Sequence, residues 1–231
     1  MAIGNESRLH RLQREYSDQL LTILTMLLLV MMFVLAPLQA AGVFFIEVEA
    51  FGVIVGLFMI AGALVISASP TAAIIILSGF LLNIAVVIAR LISPLPYDLY
   101  LVATAWFIIV STLGFVVARK VFQRGQVTAH RIVGAILLYL LIAMAFVCLF
   151  VLVALRVPNA FSGLVLEDNQ KMASTVIYFS FVTLTTVGYG DIVPVHPVAR
   201  SLCNLESIIG QLYPATLLAR LVSLEIEGRR R

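Results

Sequence analysis

The chain has 231 residues, 62% of them hydrophobic and 12% charged, with a mean hydropathy of +1.10, whereas soluble globular chains are about half apolar and a quarter charged. That excludes an ordinary soluble domain, so the length is better counted in membrane spans. The net charge of +3 is small, and the basic residues sit at segment ends rather than along an aromatic-interleaved stripe, which suits membrane orientation and not nucleic-acid binding.

Residues 1–18 form a polar N-terminal segment with Arg8, Arg11 and Arg14 at helical spacing, either an interfacial helix or a solvated end. Apolar runs long enough to cross a bilayer of ~30 Å then follow at about 19–39, 47–68, 71–92, 98–119, 131–156 and 198–223. The first lacks a small-residue cleavage site and reads as a retained span. Turn chemistry separates the runs, as at Ser67 to Pro70 and Ser93 to Pro96. Six spans place Arg8 to Arg14, Arg119 to Arg131 and Arg229 to Arg231 on one side, and Glu47, Glu49, Asp98, Glu167, Asp168 and Asp191 on the other. Both termini are therefore expected in the cytoplasm, with the protein in the plasma membrane.

The fourth span carries Arg119 and Lys120 only at its inner end, and its interior, with Thr104, Trp106 and Ser111 among apolar residues, holds no basic residue. A voltage sensor needs several charges along one helix, because each gains only ~2.3 kcal/mol per 100 mV. Residues 19–124 thus have the span count of a sensor without its charges. Cys148 and Cys203 lie in apolar runs and read as free thiols.

Residues 172–185 have helical character but are too short to cross, and they lead into Thr186-Val187-Gly188-Tyr189-Gly190. A dehydrated cation needs a cage of oxygens, which backbone carbonyls supply without net charge. Aiming successive carbonyls at one axis requires left-handed backbone at alternate residues, which glycine reaches cheaply. The stretch Thr183 to Asp191, between two spans, resembles the bacterial-type potassium channel family over about residues 131–224. The resemblance implies an all-α membrane protein with a re-entrant pore helix and a homotetrameric pore. Carbonyls of Thr186, Val187, Gly188 and Tyr189, with the Thr186 hydroxyl, would coordinate potassium, and Thr185, Asp191 and Tyr178 would support the filter. Potassium is the permeant ligand and no other cofactor is implied.

The same resemblance gives a pore domain over 125–224, with a gate hinge at Gly210 and Pro214, and a short tail over 225–231. Gln211, Pro214 and Leu218 would face the cavity. Two positions depart from the family: Val182 replaces a glutamate that pairs with the filter aspartate, and Phe179 lacks the polar handle of a second brace. Tyr178 stands where tryptophan is common, and its hydroxyl is placed to donate to Asp191. Glu206, deep in the sixth span, is either a modulatory group near the filter or a packed, hydrogen-bonded carboxyl. The short tail leaves no nucleotide-binding ring in this sequence, so gating is expected from the membrane domain or a separate subunit. A pore-loop uptake transporter component and a non-conducting or regulatory subunit are the alternatives. Nothing suggests an enzyme: His10, His130 and His196 are scattered, and neither a nucleophile motif nor a phosphate loop is present.

The charge distribution predicts a conductance that varies weakly with voltage. A steep conductance–voltage curve from purified protein in symmetric potassium would contradict it.

Overall fold

The computed structural model describes residues 21–43, 56, 70–92, 97–122, 129–164 and 170–229. The chain is mostly helical: α1 (Leu21–Ala40), α2 (Pro70–Ile92), α3 (Asp98–Val121), α4 (Ala129–Arg156), α5 (Gln170–Leu184) and α6 (Pro197–Arg229). Two-residue strands β1 (Phe161–Ser162) and β2 (Val193–Pro194) pair antiparallel. Among the described residues, Leu21–Ala40, Thr71–Arg90, Asp98–Val121 and Arg131–Arg156 are long and apolar enough to cross a membrane. These coincide with four of the predicted spans, while the N-terminal segment and, apart from Gly56, the span predicted at 47–68 lie outside the described residues. α6 is long but interrupted by Asn204, Glu206, Gln211 and Pro214.

α1 widens into a π turn over Met31–Leu35. Pro37 explains it, because its nitrogen cannot donate to the Phe33 carbonyl one turn back, and the helix rearranges upstream. There Phe33 meets Phe181 of α5 edge-on, with ring centroids 4.9 Å apart. α2 begins on Pro70, where a missing N–H costs nothing. Arg90 near its end pairs with Asp98 at the start of α3 (Nε to Oδ2, 2.8 Å), and Asp98 Oδ1 also accepts the Leu99 N–H at 2.6 Å.

The apolar sides of α1 to α4 merge in one core built around Leu28, Ile76, Ile109, Leu113 and Leu141. A second core joins α4, α5, α6 and the strand pair through Phe146, Phe150, Phe161, Phe179 and Ile192. Phe179 is buried there, 5.0 Å from the Phe150 ring and 5.5 Å from that of Phe161. Its ring is enclosed by this apolar core.

α6 crosses both cores. Tyr213 donates to the Ala135 carbonyl of α4 (2.8 Å) and stacks on Tyr139. Farther along, Arg220 donates to the Val121 carbonyl at the end of α3 (3.3 Å) and lies over the Phe122 ring. A guanidinium at a helix C-terminus satisfies orphan carbonyls and the dipole together.

α6 stays helical through Gly210 and Pro214, the positions where a hinge is expected. Gly210 also has a packing reason: a Cβ there would collide with the Leu184 carbonyl oxygen at the end of α5. Backbone cannot yield as a side-chain tip does, and forced overpacking costs about 1–3 kcal/mol. Gly210→Ala is therefore expected to lower the thermal midpoint of the purified protein, and Pro214→Ala to lower it much less. An unchanged midpoint in Gly210→Ala would return that residue to a purely conformational role.

Candidate functional site

The predicted site residues converge where α5 ends, in the loop 185–191 and along one side of α6. α5 stops because its last carbonyls bond to the loop. Thr185 N–H donates to Phe181 O (2.9 Å) and Thr186 N–H to Thr183 O (3.0 Å). Val187 and Gly188 N–H both turn back to Val182 O, at 3.0 and 3.3 Å. Val182, the position lacking the family carboxylate, thus holds the loop through its backbone. The Thr185 hydroxyl also donates to Phe181 O at 2.6 Å.

Left-handed backbone recurs at every second residue of the loop: φ is 58° at Thr186, 57° at Gly188 and 81° at Gly190. The two glycines were expected there, but Thr186 was not, because a branched Cβ makes this region costly. No heavy atom lies within 4 Å of where a Cβ would stand at Gly188 or Gly190. Those glycines are thus demanded by conformation and not by crowding. Val187 and Tyr189 are 53% and 71% exposed in the single chain.

Tyr178 braces the outer end of the loop. Its ring stacks on Tyr189, with centroids 6.3 Å apart and planes 5° from parallel. Its hydroxyl lies beside Asp191, whose carboxylate holds the phenol above its ordinary range. The β1–β2 pair supplies a brace that sequence reasoning missed: Phe161 faces Pro194 and Ser162 faces Val193. Gly163, at φ 81°, lets this strap pass against the Asp191 carbonyl, where any Cβ would collide. Ala160 O accepts Val195 N–H at 2.8 Å and His196 N–H at 3.1 Å. Two-residue strands have no periodicity to read, although the Pro158-Asn159 and Ser162-Gly163 turn signals mark the spot.

The inner end is held by α6. Gln211 Nε2 donates to Thr186 Oγ1 (3.3 Å), and the Ser207 hydroxyl donates to Thr183 O (3.1 Å). Glu206 is fully buried, with Oε1 2.6 Å from Ser180 Oγ of α5. Glu206 is thus a hydrogen-bonded carboxyl packed against α5. Ser180 was not anticipated. Gln211, Pro214 and Leu218 lie on one exposed face of α6. No cluster of His, Cys, Asp or Glu among the described residues could hold a metal ion.

Residues 135–226 match a family model described as an ion channel. Over 65 residues the chain is 34% identical to Protein LctB of Bacillus caldotenax, a match covering 28% of this chain and 45% of that protein, so it spans under half of that relative's length. No solved structure matches. With four membrane-capable helices and loop 185–191 inside the matched segment, the chain is a multi-pass membrane protein whose residues 135–226 are similar to an ion channel.

Proposed function

We propose that the chain is one subunit of a potassium-selective channel, with residues 186–190 of four identical copies surrounding a common axis. The observation that carries this reading is the left-handed backbone at Thr186, Gly188 and Gly190. In a strand, successive carbonyls point to opposite sides. Alternating the hand of the backbone turns them to one side, so Thr186, Val187, Gly188 and Tyr189 present a row of oxygens to a dehydrated cation, extended by the Thr186 hydroxyl. One chain offers one wall of such a cage, hence a homotetramer in the bilayer.

Several features support the same arrangement. α5 has 15 residues, about 22 Å at 1.5 Å per residue, too short for a ~30 Å hydrocarbon layer. Such a helix fits as a re-entrant pore helix, since non-helical backbone at membrane depth is tolerated only inside protein or beside a watery cavity. The lower apolarity of α6 suits an inner helix with water on one face. Its exposed Leu205, Ile208 and Leu212 suit contact with neighbouring copies. α4 is then the outer helix, the span at 47–68 completes six, and both termini lie in the cytoplasm. The peripheral helices lack sensor charges, so gating comes from elsewhere: α6, the filter or a separate subunit.

Full-length protein in liposomes is expected to pass potassium far faster than sodium and to be blocked by barium, and equal fluxes would overturn the proposal. Gly188→Ala meets open space, so it tests backbone conformation alone; with about 1–2 kcal/mol of left-handed strain per residue, it should keep the fold and lose selectivity. Tyr178→Phe removes the hydroxyl beside Asp191 and should speed loss of conduction during sustained opening. Unchanged inactivation in that variant would remove the assigned brace.

A further inference from the structure

A carboxyl inside a helical bundle requires an account of its proton and its partners. Glu206 and Ser180 are both fully buried within a single chain, so their contact does not depend on how copies assemble. Ser180 Oγ lies 2.6 Å from Glu206 Oε1 and 3.0 Å from the Ala143 carbonyl oxygen of α4. Ser180 has one hydroxyl proton, and the Ala143 carbonyl can only accept. Both contacts are satisfied together only when Glu206 donates to Ser180 and Ser180 donates to Ala143.

The surroundings favour the same assignment. Glu206 Oε2 has no hydrogen-bond partner among the described residues. Among the described residues, Tyr139 of α4 and Cys203 of α6 feel Glu206 electrostatically, and neither brings a positive charge. An ionised carboxylate there would be a buried charge with one bare oxygen and no cation, which is far costlier than a neutral acid.

The location gives the clasp a consequence. Ser180 is on α5, and its neighbour two residues on, Val182, accepts the N–H groups of both Val187 and Gly188. Glu206 is followed on α6 by Ser207, Gly210 and Gln211, which meet Thr183, Leu184 and Thr186 in the same order. Displacing α5 relative to α6 therefore displaces the loop.

We propose that Glu206 is a positioning residue held as a neutral carboxylic acid: its O–H donates to Ser180, Ser180 donates to Ala143, and this two-bond chain sets where α5 presents residues 186–190. Only the functional readout of this clasp rests on the channel reading.

Infrared spectra of the full-length protein in lipid, paired with potassium and sodium flux from the same liposomes, test it. The wild type is expected to show the carbonyl stretch of a protonated carboxylic acid, lost in Glu206→Gln. The amide keeps a donor toward Ser180, so Glu206→Gln should retain the wild-type potassium-to-sodium ratio. Ser180→Ala, which strands the carboxyl, should lower that ratio about fivefold, the equivalent of one hydrogen bond. A missing acid band in the wild type, or one that persists in Glu206→Gln, overturns the proton assignment. An unchanged flux ratio in Ser180→Ala overturns the positioning role. If the wild type itself fails to prefer potassium, the channel reading falls, and the infrared result still decides the clasp.

Discussion

Thr186 holds a branched side chain in left-handed backbone, between neighbours that do not share that conformation. A residue so placed carries roughly 1–3 kcal/mol of strain and persists only where its surroundings over-determine it. Those surroundings are visible on every side. Val182 O takes two consecutive loop N–H groups, Gln211 takes the Thr186 hydroxyl oxygen, and Tyr178 takes both Tyr189 and Asp191. Beyond them, the strap at Gly163 presses on the Asp191 carbonyl. The loop's shape is thus a property of α5, α6 and the β1–β2 pair acting together.

The polar residues of α6 follow from the same requirement. A helix that had only to cross lipid would be uniformly apolar, yet this one spends Glu206, Ser207, Gly210 and Gln211 on the end of α5 and on the loop. Their spacing of i, i+1, i+4 and i+5 places them on one face. Gly210 sets the closeness of that face, because the Leu184 carbonyl occupies the space a side chain would need. The neighbouring hydrogen bonds depend on that approach. Hinge and close packing make opposite demands on a glycine, and here the close packing is visible.

The peripheral helices are not insulated from this arrangement. α1 touches α5 through Phe33 and Phe181 at its π turn, a feature common where helices serve function. α3 meets the far end of α6 through Arg220. α1 and α3 therefore contact α5 and α6 at two separate positions, one through aromatic packing and one through a helix cap.

Much of this was legible in the chain alone. Hydropathy over a window of bilayer length located the four described spans, and the glycines at 188 and 190 located the left-handed backbone, because both signals are local. The family pattern sets Tyr178 beside Asp191, and the Tyr178 ring stacks on Tyr189, two residues before that aspartate. What depended on the tertiary structure was which residue faces which across helices. Nothing near Glu206 in the chain names Ser180, 26 residues earlier. Gly210 read as a hinge before Leu184 was seen packed against it, and Phe179 read as a missing brace until Phe150 and Phe161 enclosed it. The ladder of two residues at Phe161 and Val193 is too short to leave a period of two. Span length and backbone hand are set by bonds within a few residues. Partners across helices are set by the crossing of α6 over α5, which exists only once the chain is packed.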